Sequence, residues 1–153
     1  MDINNINFIE TKDGIYTMTL EDNNILLRLP SCKIPYGVEE YKNSYIVNLQ
    51  WDKSNNEFYN FYKAFEKILK KFNKTMNTNH EFYSNVRVNK STYKLRTKIR
   101  KYKHKLDIEV INSDKTIFTI NSEDEVTPIV KLDSIWEKNN KIGINMYLLK
   151  VHF

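Results

Sequence analysis

The sequence predicts one mainly β domain, residues 1–153, in which antiparallel strands form a closed or half-closed barrel and one long amphipathic helix is inserted mid-chain. Its length of 153 residues is that of a single ordinary domain. Alternating apolar and polar residues indicate about seven strands, whereas only one segment has the three-and-four spacing of a helix. Antiparallel hairpins with a single helix fit a barrel better than a parallel sheet, which needs repeated crossover helices.

The composition excludes several classes of protein. Hydrophobic residues make up 41% of the chain and charged residues 28%, as in an ordinary globular domain. Gly14, Gly37 and Gly143 stand alone, so a glycine-rich phosphate-binding loop is absent. The single Cys32 cannot form an internal disulfide, and we find neither a signal peptide nor an apolar membrane span. We therefore expect an intracellular protein that is not secreted.

The first third of the chain contains three predicted strands. Residues 15–29 indicate two strands around a turn at residues 21–24. A third strand follows at residues 45–51, where every odd position is apolar. One face of this strand should be buried, so we expect Trp51 to lie in the core.

The spacing changes to that of a helix after residue 53. Residues 54–57 read Ser-Asn-Asn-Glu, which is a capping box that starts a helix. The apolar residues that follow are spaced by three and four, as on the face that a helix buries against a sheet. We assign this stripe to the core: Phe58, Phe61, Tyr62, Phe65, Ile68, Leu69 and Phe72.

The second half of the chain is predicted to be a polar loop followed by strands. The loop, residues 75–91, has one short extended piece at Phe82 and Tyr83. Alternation and turn residues then give the remaining elements. They are strands at residues 93–110, 116–120, 126–136 and 141–153, with turns at 112–115 and 139–140.

Positive charge is concentrated in the middle of the chain. Residues 53–105 hold fifteen basic and three acidic residues, a net charge of +12. The remainder holds nine basic and sixteen acidic residues, a net charge of −7. Such asymmetry within one domain indicates a polyanionic partner.

The strand that begins at Tyr93 carries the clearest signal. Side chains alternate across a strand, so its even positions place four cations on one face: Lys94, Arg96, Lys98 and Arg100. Like charges side by side destabilise a sheet, and a polyanion would relieve their repulsion. The alternation changes phase after Lys101, which predicts a bulge or bend near residues 100–101. A merely solvated face is the alternative, but arginines favour phosphate recognition.

Aromatic residues beside these cations indicate an unpaired polynucleotide. Bases of a single strand stack on aromatic rings while cations bind its phosphates, and a curved antiparallel sheet with this layout is typical of an OB barrel. For Trp136, packing at the barrel end and stacking on a base both remain open. The candidate contact residues are Phe82, Tyr83, Arg87, Lys90, Tyr93, Lys94, Arg96, Lys98, Arg100, Lys101, Tyr102, Lys103 and Trp136.

Three segments resemble the OB-fold single-stranded-DNA-binding proteins of nucleocytoplasmic large DNA viruses. They are Leu-Pro-Ser-Cys-Lys-Ile-Pro-Tyr-Gly-Val at residues 29–38, the basic strand at 94–99, and residues 126–151 with Ile-Trp before a glycine-centred final strand. The chain departs from that family at Asp133 and Ser134, where a pair of small residues is expected. The resemblance implies a viral protein that coats single-stranded DNA in replication, recombination or repair, in the host cytoplasm or nucleus.

Catalysis finds little support in the sequence. The histidines His80, His104 and His152 are isolated, and the acidic run at residues 123–125 is typical of a solvated turn. We therefore expect no catalytic residue, metal or cofactor.

Two other functions remain open. The basic face could dock an acidic protein in a structural or adaptor role, or the protein could be an RNA-binding regulator. The acidic remainder could bind a replication protein, or the basic face of another copy in a homo-oligomer.

Overall fold

The computed structural model describes all residues, 1–153, and has twelve strands and one α-helix. The helix, α1, spans Asn56–Met76, and a 3-10 turn spans Ile3–Asn5. The prediction of a mainly β chain with one long mid-chain helix is therefore confirmed. The strands are β1 Ile6–Lys12, β2 Ile15–Leu20, β3 Ile25–Arg28, β4 Val38–Tyr41, β5 Ser44–Asp52, β6 Glu81–Phe82, β7 Val86–Val88, β8 Thr92–Tyr102, β9 Lys105–Asp107, β10 Glu109–Ile111, β11 Thr127–Lys138 and β12 Lys141–His152.

The main sheet is mixed, so the prediction of antiparallel strands throughout is wrong. Its strands follow the order β1-β2-β11-β12-β8-β5-β4. Strand β12 pairs in parallel with β6, β8 and β10. The reason lies in the last hairpin. Strand β12 runs antiparallel to β11 in this hairpin. The strands that pair with the other edge of β12 run in the same direction as β12, so these pairings are parallel.

The sheet is not closed, and an OB barrel is not confirmed by its strand pairing. Strands β1 and β4 form the two ends of the main path. A short segment spans part of the gap between β11 and β5. In it, Cys32 makes a single bridge to Val126, and Lys33 makes one to Gln50.

Helix α1 begins one residue later than its predicted capping box. The side chain of Asn55, and not that of Ser54, accepts the Phe58 backbone N–H at 2.9 Å. Asparagine caps a helix as well as serine does, so the two candidates are close in energy. The helix ends at Asn77, whose left-handed φ of 53° reverses the chain.

The apolar stripe of α1 packs into a single core of 30 buried residues, as predicted. The Trp51 indole stacks on the Phe58 ring with a centroid separation of 3.9 Å. Its Nε1–H donates to the Pro30 carbonyl oxygen at 2.9 Å, which satisfies the one polar atom that burial would otherwise isolate. The placement of Trp51 in the core is confirmed.

Replacing Phe58 by Ala should destabilise the protein by about 3–5 kcal/mol, because it opens a cavity between α1 and the sheet. Phe58 is fully buried at 0% exposure. Urea unfolding measures the change. The neighbouring Tyr59 is 42% exposed, and its replacement by Ala should cost far less. Equal losses in the two variants would contradict this packing of the helix.

The phase change after Lys101 arises from a chain reversal, so the predicted bulge is wrong. Lys103 and His104 both have left-handed φ values, 48° and 68°, and form a two-residue turn between β8 and β9. Tyr102 pairs with Lys105 across it. The apolar parity that resumes at Leu106 therefore belongs to the returning strand.

Other segments also differ from the sequence prediction. Strands β4 and β7 lie outside the predicted strands, and the predicted strand at residues 93–110 is divided into β8, β9 and β10. Residues 116–120 form a turn and not a strand, because the Thr119 hydroxyl accepts the Thr116 N–H at 2.8 Å. Threonine can satisfy the backbone locally in this way and so competes with strand pairing. Strand β1 was not predicted; it pairs with β2 across Asp13 and Gly14, a dipeptide that favours such hairpins.

The last hairpin is confirmed. Strands β11 and β12 pair along almost their whole length, and Asn139 and Asn140 turn the chain with φ values of 53° and 61°. These left-handed values explain why the turn has two asparagines. The one helix of the structure is not apolar enough to span a membrane.

Candidate nucleic-acid interface

Strand β8 separates its basic and apolar side chains as predicted. Its inward positions, Tyr93, Leu95, Thr97 and Ile99, are all buried. On the outward face Arg96 and Arg100 are exposed, and Lys94 and Lys98 are half-buried. The four cations therefore lie in a row on the outside of the sheet. Because Tyr93 is only 5% exposed and packs against Phe58, we leave it out of the candidate interface.

A groove of about 870 Å³ lies over the first half of this row, and we call it the aromatic groove. Lys94 and Arg96 line it from β8, and Arg87 joins them from β7, directly opposite Lys94. Four aromatic side chains, each at least one-third exposed, line the same groove. Two come from the chain around β4 and two from the chain around β6: Tyr36, Tyr41, Phe82 and Tyr83.

The cations of the aromatic groove are not neutralised by the protein. Lys94 Nζ lies 5.1 Å from the Tyr36 ring centroid, and the Arg96 guanidinium lies 5.8 Å from that of Tyr41. No carboxylate is within 4.0 Å of Arg87, Lys94 or Arg96. Glu39 and Glu40 also line the groove, but the Glu39 side chain accepts the Asn48 amide at 3.0 Å and neither carboxylate forms an ion pair. Phosphate groups could therefore bind these cations without breaking an existing ion pair.

The other half of the basic row is partly neutralised. Arg100 lies 2.6 Å from Asp133 and 4.2 Å from the Tyr147 ring centroid. Lys131 also contacts Asp133, at 3.2 Å. Asp133 thus forms ion pairs with two cations that could otherwise bind a phosphate. Its position at an irregularity in the β11–β12 register places its side chain beside Arg100.

Lys98 is oriented by a short chain of hydrogen bonds. Its Nζ lies 3.4 Å from Asn145 Oδ1, at the outer limit of a hydrogen bond. The Asn145 amide in turn donates to the Ser134 hydroxyl at 2.9 Å. Ser134 is buried, so it anchors Asn145 and directs Lys98 along the sheet.

Trp136 lies on the outer face and not in the core. It is paired with Gly143, and a Cβ at that glycine would come within 2.5 Å of the indole. The indole therefore lies flat on the β12 backbone, half-buried, with the Tyr83 ring centroid 5.6 Å away. It lines a second hollow of about 590 Å³ together with Lys98 and Asn145. This geometry leaves part of the indole available for stacking.

The remaining predicted contacts lie at the ends of β8. Lys90 is exposed in the turn between β7 and β8. At the opposite end Tyr102 is 68% exposed, and Lys103 lies over its ring at 5.5 Å. Lys101 lies one residue beyond Arg100 on the strand, so its side chain is on the opposite face and lies over the Tyr45 ring at 5.6 Å.

Sequence reasoning missed two of the aromatic residues. Tyr36 follows Pro35 in a turn, and Tyr41 precedes the two-residue turn at Lys42 and Asn43, so both read as loop residues. Pairing of β4 with β5 brings them beside β8. Residues 38–41 read Val-Glu-Glu-Tyr, which is short and has no apolar–polar alternation, so the sequence alone does not indicate a strand there.

If β8 binds single-stranded DNA, as the sequence leads us to expect, neutralising Asp133 should strengthen that binding, because Arg100 and Lys131 would become free. We expect the D133N variant to bind oligo-dT about fivefold more tightly at low salt. Its log–log salt dependence should be steeper by about 0.7 for each added phosphate contact. The matched control is D22N, which removes the same charge in the β2–β3 turn. Equal affinities in the two variants would show that Asp133 does not compete with phosphate.

The Cys32 thiol is buried, and the His80 side chain is paired. Burial raises the pKa of the Cys32 thiol well above its ordinary value, so it stays protonated at neutral pH. His80 and Glu137 are paired with each other at 2.5 Å. No three His, Cys, Asp or Glu side chains lie close enough together to hold a metal ion.

No protein-family model matches this sequence, and no curated protein is significantly similar to it. The viral resemblance therefore stays an expectation. The cations and aromatic rings around β8 are the feature of the molecule that points to a function.

Proposed function

We propose that this protein binds single-stranded DNA, largely without sequence preference, through the outer face of β8 and the aromatic groove. The observation that carries the proposal is the lining of that groove. Three cations without a carboxylate within 4.0 Å share this lining with four exposed aromatic rings. Cations bind phosphates of any sequence, and every base has a face that can stack.

The exposed rings favour a single strand over a duplex. In a duplex both faces of each base are already stacked on neighbouring bases, so the aromatic rings of the groove cannot stack on them. Stacking on an unpaired base contributes roughly 1–3 kcal/mol. Four exposed aromatic side chains are grouped in one groove. Large exposed apolar clusters usually mark binding sites, so this grouping favours a binding function.

We propose an OB-like arrangement in which β11, β12, β8 and β5 form the binding sheet and the bridges of Cys32 and Lys33 partly close it. The viral resemblance supports a role in DNA replication, recombination or repair, with no catalysis by this chain.

One titration tests the function. Oligo-dT, duplex DNA and oligo-U are titrated by fluorescence anisotropy at two salt concentrations. Contacts from Arg87, Lys94, Arg96 and Lys98 to four phosphates predict a log–log salt slope near −3 for oligo-dT. Equal binding of duplex DNA would contradict the single-strand proposal, and tighter binding of oligo-U would favour an RNA-binding regulator. Absence of binding to all three would favour the adaptor role.

A further inference from the structure

A third hollow, of about 520 Å³, lies beneath the β8–β9 hairpin, away from the aromatic groove. It forms because the turn at Lys103 and His104 folds β9 back against the chain that follows. Residues 106–110 then alternate along an extended segment, and the apolar members of that alternation line the hollow: Leu106, Ile108 and Val110.

The lining of this hollow is mainly apolar. Tyr45 and Ile117 join the three aliphatic residues, and Ile117 itself is buried. Phe118 stands at the rim with 66% of its surface exposed. A phenylalanine this exposed, next to other apolar side chains, is typical of a surface that binds a partner.

The ionisable side chains that line the hollow are all of the basic types. Lys101, His104, Lys105 and Lys115 line it, and no acidic residue does. The acidic residues of the same segment, Asp107 and Glu109, occupy the alternate positions and are not part of the lining. Lys115 is already paired with Asp124 at 2.5 Å, a contact that also lowers the pKa of that carboxyl. Lys101 and Lys105 have no carboxylate within 4.0 Å.

We propose that this hollow binds an acidic, amphipathic peptide segment of a partner protein. The peptide should be acidic, because two ammonium groups without a carboxylate partner, those of Lys101 and Lys105, line the hollow. The peptide should also carry apolar side chains, since a purely acidic chain would leave the apolar floor of the hollow uncovered. An extended peptide with alternating acidic and apolar side chains satisfies both at once.

The hollow and the aromatic groove are separate sites. Lys101 and Arg100 are neighbours on β8, so their side chains leave the strand on opposite faces. None of the residues that line the hollow also lines the aromatic groove. The peptide proposal therefore does not depend on whether the outer face binds DNA.

The test uses the full chain and a fluorescein-labelled peptide of about ten residues in which Glu alternates with Leu and Phe. Fluorescence anisotropy compares wild type with the double variant K101E/K105E and with F118S. We expect the double charge reversal to weaken binding about tenfold or more, and F118S about threefold. The charge-matched control is K67E/K70E, which reverses two exposed lysines on α1 and should leave affinity unchanged.

Four results would overturn the proposal. One is an equal loss of affinity in K67E/K70E, which would indicate binding to net charge alone. The second is equal binding of a peptide in which Ser replaces every Leu and Phe, since the apolar floor would then contribute nothing. The third is full displacement of the peptide by oligo-dT, which would make the hollow part of the nucleic-acid path. Unchanged binding in F118S, whose exposed position should not affect folding, would also contradict it.

Discussion

Replacing Arg87, Lys94 and Arg96 together by Ala is expected to weaken binding of oligo-dT roughly a hundredfold at low salt. Each lost phosphate contact should cost about 1 kcal/mol, since these cations are at the surface and carry no other ion pair. The log–log salt slope should become shallower by about 2, because three fewer counterions are released. Anisotropy titrations at several salt concentrations measure both quantities.

The matched control removes three lysines from the exposed side of α1: Lys67, Lys70 and Lys74. This variant has the same net charge as the groove variant but keeps the groove intact. If the two triple variants lost affinity equally, binding would depend on total charge and not on the row along β8. Thermal unfolding of both should stay close to wild type, because none of the six side chains is part of the core.

Replacing Tyr41 and Tyr83 together by Ala should also weaken binding strongly, but by a different mechanism. Each ring offers a stacking surface worth roughly 1–3 kcal/mol, so the loss should lie between about thirtyfold and about ten-thousandfold. The salt slope should not change, since no phosphate contact is removed. The rings are 54% and 48% exposed, so the fold should tolerate their removal.

The conservative variant Y41F/Y83F separates stacking from hydrogen bonding. It keeps both rings and should retain most of the affinity, whereas the alanine pair should not. Tyr59→Ala, on the exposed side of α1, removes a ring that is outside the groove and should have no effect. A steeper or shallower salt slope in the Y41A/Y83A variant would show that the rings act indirectly by moving the cations.

The departure at Asp133 and Ser134 gains a physical meaning from the structure. Asp133 pairs with Arg100, and Ser134 anchors the Asn145 amide that directs Lys98. A pair of alanines at these positions could form neither contact. In the proposed function, these two residues weaken one end of the basic row and orient its middle, so binding should be strongest at the Arg96 end.

Several features could be predicted from the sequence because they depend on neighbouring residues. The alternation of Lys94, Arg96, Lys98 and Arg100 fixes their common face, since successive side chains of a strand point to opposite sides. The three-and-four spacing along α1 likewise fixes its buried stripe. The two asparagines at residues 139–140 fix the last turn through the left-handed conformations that they tolerate.

Tertiary structure decided how these elements meet. The parallel contacts of β12, the placement of Tyr36 and Tyr41 beside Arg96, and the pairing of Arg100 with Asp133 all join residues distant in the chain. No local pattern encodes such contacts, because their energy appears only after the strands have found their partners. The sequence by itself therefore determined which side chains are basic, aromatic and outward-facing. Folding determined which of the cations remain without a carboxylate partner in one groove. Binding requires such unpaired cations, because a cation already paired with a carboxylate gains little from a phosphate.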